Sequence, residues 1–566
     1  MRYKLLAETY QELSSTAKRL EKTSILSKFL MHLGEKDKDV IYLLLGDIYP
    51  EYNEKKIGIS SQLAIKSISK SSGASIEKIN SEWKKIGDLG KVAELLITKK
   101  KQSTLTSHIL TTEKVIENLR KLPELEGKGT VDKKISLITE LLASAEPIEA
   151  LYLVRTLLAD LRIGLKEATI REAMAHAFFK DNESSSKALQ KAIDKSNDLG
   201  EVFEMAKKGR IKDLDKILLE VGKPIKVMLA QKTKSIKEGF EAVGKPCAIE
   251  YKYDGFRLLI HKKDSKIMLF TRRLENVTKQ FPEVVEYVLK FVKGKSFILD
   301  SEAVGYHKET KEYTPFQSVS QRIRRKYDIE KMQKELPVEI NVFDILFYNG
   351  KSFLDEPFEK RTKLIREIIN NQPYKIASSK QVITSDEKTA EKFYKKALED
   401  RQEGVMLKNL YSPYNPGSRV GHMLKLKPED KDLDLIIIGA EYGTGKRSGW
   451  MSSFILACRH KNEFLEIGKV STGLKEKSEG ISFEELTKKL LPLITKEKGR
   501  IVELKPKVVV SVTYQEIQKS PNYSSGYALR FPRFTALRPD KSSSDTATLE
   551  DIRKDFESQK RNYKYG

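Results

Sequence analysis

The sequence predicts a multi-domain protein with an all-α amino-terminal domain, a central α+β domain and a small carboxy-terminal β-barrel of the OB type. The chain has 566 residues, which is long for a single hydrophobic core. Apolar residues recur at helical spacing in the first part, whereas β-type patterns separated by short helices follow it. We therefore predict domains at 1–222, 223–430 and 431–566.

The helical region contains a short sequence motif that occurs twice. The segments Gly87-Asp-Leu-Gly-Lys-Val-Ala-Glu94 and Asn197-Asp-Leu-Gly-Glu-Val-Phe-Glu204 each place an aspartate before a short helix, where it would serve as the N-cap. Helix N-termini offer free N–H groups to phosphates, so the pair could grip a nucleic-acid backbone. The alternative is a repeated helical hairpin that serves packing only.

The central and carboxy-terminal elements follow from periodicity and turn signals. Predicted strands are 247–253, 257–261, 267–271, 296–304, 338–347, 404–408, 422–427, 435–440, 453–459, 464–470 and 508–515. Predicted helices are 283–292, 359–370, 386–399 and a terminal one over 548–561, which Thr548 and Asp551 would cap. The charge-rich segment 428–434 is predicted to be a mobile hinge, and the strands beyond it to form a five-stranded barrel.

Composition restricts the function. The chain has 104 Lys and Arg against 80 Asp and Glu, a net charge of +24 that favours a polyanionic partner. A generally basic protein without chemistry is the alternative. Only two cysteines occur, Cys247 and Cys458, which excludes a disulfide framework and a cysteine-based zinc site. With no signal peptide and no apolar run long enough to span a bilayer, a cytoplasmic protein with no membrane contact is expected.

The central domain is organised around the segment Cys247-Ala-Ile-Glu-Tyr-Lys-Tyr-Asp-Gly-Phe-Arg257. In a strand, Glu250, Lys252 and Asp254 share one face, and two carboxylates that bracket an ammonium are costly to bury without a purpose. Gly255 allows a close backbone approach. The segment is either a surface strand with a charge ladder or the site of a nucleophilic lysine. A lysine attacks phosphorus only as the free amine, which requires desolvation or neighbouring cations.

Further polar signals follow Lys252, each at a strand or its end. They are Arg257, Thr271-Arg-Arg273, Asp300-Ser-Glu302, Phe343-Asp344, Glu403-Gly-Val-Met-Leu-Lys408, Lys425-Leu-Lys427 and Arg530-Phe-Pro-Arg533. Each alone is more simply structural. Glu403 and Lys408 are five residues apart and would lie on opposite faces of a strand, so we expect Glu403 at the start of its strand.

This ordered set resembles the motifs of the ATP-dependent DNA ligases, specifically the archaeal and eukaryotic replicative type, over nearly the whole chain. The resemblance implies a helical DNA-binding domain, an α+β nucleotidyltransferase domain (the ATP-grasp-like ligase adenylation domain) and an OB-fold β-barrel. It also implies ATP as the nucleotide, Mg²⁺ as the cation with Mn²⁺ as a substitute, and nicked double-stranded DNA as the partner. A monomeric enzyme of archaeal type, associated with the nucleoid, is expected.

The resemblance also implies roles for the motif residues. Lys252 would form the covalent lysyl-AMP, Glu250 would read the adenine amino group and Phe343 would stack on the base. The other nucleotide, metal and supporting roles fall to a larger set: Arg257 and Arg272 at ribose and phosphate, Glu302 at ribose and metal, Glu403 at the metal, Arg419 and Lys425 at the α-phosphate and nucleotide, Lys427, Arg530 and Arg533 at pyrophosphate, and Asp254 and Lys408 in support.

Other readings stay open at this stage. An mRNA-capping guanylyltransferase or an RNA ligase shares the lysine motif but would not carry some 220 helical residues ahead of it. A chain that resembled the NAD-dependent ligases would carry a four-cysteine zinc site, which two cysteines cannot build. A non-catalytic DNA-binding protein would explain the charge only. Gln102 and Leu105, in a lysine-rich segment, faintly resemble a sliding-clamp-binding peptide that lacks its paired aromatics, so the alternative is a plain solvated loop.

Overall fold

The computed structural model describes the chain except residues 35–36, 99–108, 128, 181, 315, 324, 326, 429–430, 444–446, 448, 475–481 and 563–566. The predicted clamp-binding segment with Gln102 and Leu105 lies outside the described residues. The chain forms two compact units, Met1–Leu426 and Lys427–Gly566. Within the described part, no helix has both the length and the apolar character needed to cross a membrane.

The first part of the first unit is helical, as predicted, and is built around one apolar core that includes Tyr10, Tyr152 and Phe203. Its helices are α1 (Tyr3–Ser15), α2 (Arg19–His32), α3 (Lys38–Leu43), α4 (Ser61–Ser72), α5 (Ile76–Ile86), α6 (Leu89–Thr98), α7 (Thr112–Lys121), α8 (Thr130–Ser144), α9 (Pro147–Leu157), α10 (Glu167–Phe178), α11 (Asn182–Ser196) and α12 (Leu199–Lys207).

Asp88 and Asp198, the aspartates of the repeated motif, cap their helices, as predicted. Asp88 accepts a 2.9 Å hydrogen bond from the second residue of α6, and Asp198 accepts 3.0 Å bonds from the second and third residues of α12. Both carboxylates are buried, and each has a second partner: Arg155 lies 2.7 Å from Asp88, and the Tyr42 hydroxyl donates to Asp198 at 2.7 Å. Since these helix ends are already capped by buried negative charge, the geometry favours the packing interpretation over a phosphate grip.

The central part of the first unit contains two β-sheets covered by helices. Its strands are β1 (Leu229–Lys232), β2 (Cys247–Lys252), β3 (Phe256–Lys263), β4 (Lys266–Thr271), β5 (Ser296–Tyr306), β6 (Tyr313–Thr314), β7 (Val338–Tyr348), β8 (Lys351–Ser352), β9 (Ile376–Ser378), β10 (Gln381–Thr384), β11 (Gly404–Asn409) and β12 (Arg419–Leu426). Its helices are α13 (Ile236–Val243), α14 (Pro282–Phe291), α15 (Phe316–Ile323), α16 (Ile329–Glu335), α17 (Phe358–Ile368) and α18 (Glu387–Glu399). Every strand and helix predicted for this part is present.

The strand order explains which side chains become available for a site. One sheet runs β1-β12-β11-β2-β10, and the other runs β4-β3-β5-β7-β8 with β6 and β9 attached. The alternate residues Ile249 and Tyr251 of β2 pack with α13 and α18, while Leu258 of β3 and Leu299 of β5 pack with α14 and α17. Because neighbouring residues of a strand point to opposite faces, the polar residues of these strands line the faces turned away from the helices.

The second unit contains a six-stranded sheet, one strand more than predicted, and a separate β-hairpin. Its elements are β13 (Lys431–Tyr442), β14 (Met451–His460), β15 (Glu463–Val470), α19 (Phe483–Leu490), β16 (Ile494–Lys498), β17 (Ile501–Tyr514), β18 (Glu516–Lys519), β19 (Tyr527–Arg530), β20 (Arg533–Leu537) and α20 (Leu549–Asn562). The sheet order is β15-β14-β13-β17-β16 with β20 on β17. The Thr548–Asp551 capping box before α20 is confirmed by hydrogen bonds of 2.8 and 3.1 Å.

The predicted hinge over 428–434 is wrong for its second half. Lys431 to Asp434 form the start of β13 and pair with β17. Asp434 accepts hydrogen bonds from Arg538 at 3.0 Å and from Lys541 at 2.5 Å. The carboxylate of Asp434, one of the charges that suggested a solvated hinge, is therefore paired with cations about a hundred residues further along the chain.

Candidate active site

The ammonium of Lys252 lies 2.6 Å from Oε2 of Glu403. The main chains of the two residues also pair, because the N–H of Glu403 donates to the carbonyl of Lys252 at 2.9 Å. Glu403 immediately precedes β11, whose first residue, Gly404, has φ of 141°, a conformation that favours glycine. This confirms that Glu403 lies at the start of its strand, so its five-residue separation from Lys408 does not force the two side chains to opposite faces.

Glu250 is buried, and each of its carboxylate oxygens has one polar partner. The ammonium of Lys408 lies 2.7 Å from Oε2, and Nε2 of Gln381 donates to Oε1 at 2.8 Å. Gln381 stands directly opposite Glu250 in the pairing of β10 with β2. Gln381 was not predicted from the sequence, since a single glutamine in a short edge strand carries no local signal.

Arg257 is held by a buried acidic partner on the neighbouring strand. Its Nε donates to Oδ1 of Asp300 at 2.8 Å, and its Nη1 donates to the carbonyl of Met228 at 2.6 Å. The hydroxyl of Tyr414, another residue that the sequence analysis missed, donates to Oδ2 of Asp300 at 2.7 Å. The guanidinium of Arg257 is thereby fixed 5.4 Å from the centre of the Phe343 ring.

Phe343 is the extra residue of a β-bulge. Asp300 and Ser301 of β5 pair with Asp344 and Val342 of β7, so Phe343 has no opposite residue in β5. A bulge re-aims a side chain relative to a regular strand. The bulge is secured by the buried Arg361, whose Nε donates to Oδ1 of Asp344 at 2.7 Å. The sequence predicted Phe343 but neither the bulge nor Arg361.

Glu302 stands opposite Arg257 in the pairing of β3 with β5. Burial raises the pKa of Glu302 to about 8; the carboxylates of Glu403 and Asp300 act in the same direction, while Lys252 and Arg257 act against it. The structure therefore brings Glu302, Glu403, Lys252 and Arg257 together, as the motif pattern predicted.

The carboxylates of Glu302 and Glu403 fit a divalent cation of the Mg²⁺ type. Mg²⁺ prefers oxygen ligands and is commonly held by one or two carboxylates together with substrate phosphates and water. Among the described residues, no cluster of three or more His, Cys, Asp or Glu side chains is arranged to hold a metal by itself. A cation at this pair would offset the cost of keeping Glu302 ionised.

Lys425 and Arg419 lie on β12. Lys425 stands opposite Met406, which stands opposite Glu250, so these side chains share one face of the sheet. Arg419 is exposed at the first residue of β12, where its Nη1 donates to the carbonyl of Ala230 at 2.9 Å. The structure thus places Lys425 on the face that carries Lys252 and places Arg419 at the end of the sheet.

Three further predicted residues differ in how they are buried: Gly255, Asp254 and Arg272. A Cβ on Gly255 would lie 2.3 Å from the carbonyl oxygen of Ala303, so the close approach expected there is to the chain's own backbone. Asp254 is buried, and its N–H donates to Oε1 of Gln402 at 3.2 Å. Arg272 is exposed in the turn after β4, and its side chain makes no hydrogen bond or ion pair with any residue that the structure describes.

The last three predicted residues belong to the second unit. Lys427 is its first residue. Arg530, at the end of β19, donates through Nη1 to Oε1 of Glu516 at 2.9 Å. Arg533 begins β20, where it is exposed and stands opposite Thr513 of β17.

Comparison with known proteins gives a consistent result along the chain. Residues 2–175, 227–427 and 447–541 match the family models described as DNA ligase N terminus, ATP dependent DNA ligase domain and ATP dependent DNA ligase C terminal region. The DNA ligase of Nanoarchaeum equitans is 44% identical to this chain, and the alignment covers 99% of both. The DNA ligase of Thermococcus fumicolans is 40% identical over 98% of both chains.

Two solved structures share the fold. The structure titled Pmar-Lig_PreS3 aligns with a TM-score of 0.58 at 18% identity, and the alignment covers 94% of this chain and 99% of that one. The structure titled Pmar-Lig_Pre. aligns over the same fractions with a TM-score of 0.59 at 19% identity.

Proposed function

Because the chain belongs to the ATP-dependent DNA ligases, we propose that Lys252 is the nucleophile that carries AMP during the sealing of nicked DNA. One observation supports this assignment above the others. The Lys252 side chain lies on the same sheet face as Glu250 and in contact with Glu403, so the lysine, the predicted base reader and a predicted metal ligand converge. A surface charge ladder, the alternative for this strand, would not bury Glu250.

The reaction proceeds in three steps. The Lys252 amine attacks the α-phosphorus of ATP, an N–P bond forms, and the bond to pyrophosphate breaks. An oxygen of the 5′-phosphate at the nick then attacks the same phosphorus and releases the lysine. Finally the adjacent 3′-hydroxyl attacks the activated 5′-phosphate, closing the strand and releasing AMP. Such transfers depend on positioning and on stabilising charge on the non-bridging oxygens.

Lys252 has to leave Glu403 and lose a proton before it attacks. In the ion pair the ammonium has no lone pair to offer, so the 2.6 Å contact is a resting arrangement. Glu302 and Glu403 would hold Mg²⁺ or Mn²⁺, which supplies neutralisation of the phosphate oxygens. Lys425 and Arg419 are assigned to the α-phosphate and nucleotide, and Arg257 and Arg272 to ribose and phosphate.

Glu250 and Phe343 are assigned to the adenine base, with Asp254 and Lys408 in support. Their chemistry predicts an adenine preference but does not exclude ADP or GTP. Lys427, Arg530 and Arg533 stay predicted to position pyrophosphate in the first step. A monomer in the cytoplasm and a sliding-clamp partner also stay predictions.

Covalent labelling tests the central assignment. Incubation with α-labelled ATP and Mg²⁺, followed by a denaturing gel, should show a labelled band that disappears on a chase with singly nicked duplex. Lys252→Arg keeps the charge but should abolish the label, because a guanidinium cannot serve as the nucleophile. Lys263→Ala, at the exposed end of β3, is the matched control and should label normally. A labelled Lys252→Arg enzyme would contradict the assignment.

The metal assignment has its own test. Glu302→Gln should raise the Mg²⁺ concentration that gives half-maximal labelling, since a neutral amide binds a hard cation less well than a carboxylate does. The matched control is Glu309→Gln, an exposed glutamate after β5. An unchanged Mg²⁺ requirement in Glu302→Gln would contradict a metal role for this residue.

A further inference from the structure

The carboxylate of Glu250 is fixed from two directions by residues of the same sheet. Gln381 from β10 donates to Oε1 at 2.8 Å, and Lys408 from β11 lies 2.7 Å from Oε2. Glu250 is only 1% exposed, so water does not provide these hydrogen bonds. A carboxylate has about four lone-pair positions, so two stay available after these contacts.

Gln381 is itself held, which fixes the end of its amide that faces Glu250. Its Nε2 donates to the Thr362 hydroxyl at 3.1 Å as well as to Glu250. Thr362 lies on α17 and is buried. Hydrogen bonds therefore connect Glu250, through Gln381, to helix α17.

Lys408 connects Glu250 to the other sheet. Its ammonium donates to the carbonyl of Phe343 at 3.3 Å and lies 4.9 Å from the centre of the Phe343 ring. Contact of an ammonium with a carboxylate keeps that carboxylate ionised. The Glu250 carboxylate is thus held beside an ammonium that also contacts the bulge carrying Phe343.

An ionised carboxylate accepts hydrogen bonds and cannot donate them. It can bind the 6-amino group of adenine, which donates, but it faces the 6-oxo group of guanine or hypoxanthine with acceptor against acceptor. Sites built to pair with one polar group reject an analogue that leaves a buried group unpaired. Selection of the 6-amino group therefore depends on the charge and orientation of Glu250.

We propose that Gln381 is a positioning residue for nucleobase selection, which acts through Glu250 without touching the nucleotide. This inference rests on the proposed function, because it assumes that Glu250 meets the base. Gln381 and Lys408 together hold the carboxylate so that one free lone pair points at the 6-position of the purine. Loss of the Gln381 donor leaves one oxygen of a buried carboxylate unpaired and free to turn away.

The test compares ATP with purine riboside 5′-triphosphate, which has only hydrogen at the 6-position. The measured quantity is kcat/KM for covalent labelling of the enzyme. In Gln381→Met the preference for ATP should fall at least about tenfold, because a hydrogen bond to a charged group contributes that much or more, and the loss should lie mainly in KM for ATP. Ile383→Met, in the same strand and 49% exposed, is the control and should keep the wild-type preference.

A merely structural role for Gln381 predicts equal losses with both nucleotides, so an unchanged preference in Gln381→Met would overturn the inference alone. Gln381→Glu provides a second route if the methionine variant does not fold. The added carboxylate faces Glu250 and favours a proton shared between the two groups. The kcat/KM for labelling with inosine triphosphate should therefore rise relative to that with ATP. An unchanged ratio would count against the inference. If the wild-type enzyme forms no covalent label with any of these nucleotides, the proposed function and this inference are both overturned.

Discussion

Asp194→Asn should stabilise the protein at neutral pH. Asp194 belongs to α11 and borders a cavity that Glu167 and Lys226 also line. Burial raises the pKa of Asp194 from 3.8 to about 6, and the nearby Glu167 acts in the same direction. Nε2 of Gln190 donates to Oδ1 at 2.7 Å, a contact that asparagine can retain through the same oxygen. The substitution therefore removes the charge while keeping the shape.

The direction in which stability changes with pH follows from proton binding to Asp194. Between the unfolded value of 3.8 and the folded value of about 6, the folded state binds more protons than the unfolded state, so stability falls as pH rises through this window. A shift of about two units corresponds to roughly 3 kcal/mol at neutral pH, where Asp194 is ionised in both states. Solvent screening at a partly exposed carboxylate reduces this, and we expect Asp194→Asn to gain about 1–2 kcal/mol.

Urea unfolding at about pH 7.5 and about pH 4 provides the assay. The gain in the free energy of unfolding should be present at the higher pH and should largely disappear at the lower one, where Asp194 of the folded wild-type protein is protonated and therefore as neutral as asparagine. Asp215→Asn, an exposed aspartate in the same helical region, is the control and should show no such gain. A gain of equal size at both pH values, or a loss at neutral pH, would refute the electrostatic reasoning.

Three further substitutions test the site. Asp344→Asn breaks the buried pair with Arg361 and should cost about 3–5 kcal/mol in urea unfolding and raise KM for ATP; retained stability would contradict a structural role for the pair. Gly255→Ala forces a shift of the Ala303 backbone and should reduce covalent labelling at least tenfold, roughly 1.4 kcal/mol, whereas normal labelling would show that the loop adapts. Arg530→Ala should impair lysine adenylylation far more than the sealing of pre-adenylylated nicks, and equal impairment would argue against its role in the first step.

The residues whose place in the fold was predicted from the sequence share a physical basis. Glu250, Lys252 and Glu302 lie in regular strands, where a period of two decides which side chains share a face. The apolar residues between them pack on helices, so the pattern of hydrophobic positions already determined which face would be polar. For these strands, the sequence was sufficient to predict both the element and the orientation of its side chains.

The residues that were missed depend on contacts between distant parts of the chain. Gln381 and Glu250 are 131 residues apart, and Tyr414 and Asp300 are 114 apart, so no local pattern connects them. The bulge at Phe343 is set by a register shift between β5 and β7, which periodicity cannot reveal. The hinge prediction failed for the same reason, because the cations that neutralise Asp434 come from the end of the second unit.

Ion pairs surround Lys252 in the central part of the first unit. Three cations each have a carboxylate partner: Lys252 has Glu403, Lys408 has Glu250, and Arg257 has Asp300. Glu302 has no ion-pair partner among the residues that the structure describes.

Pairing offsets part of the cost of removing these charged groups from water. On the proposed roles, the pair of Lys252 with Glu403 must open when substrate enters, because the Lys252 amine has to reach phosphorus and Glu403 has to bind the catalytic cation. The pair of Lys408 with Glu250 has no such demand, since both residues are assigned to the base rather than to the phosphates. We therefore propose that the half of the site assigned to the base is preformed, and that the half assigned to the reaction is held in a neutral resting state until the nucleotide and its cation arrive.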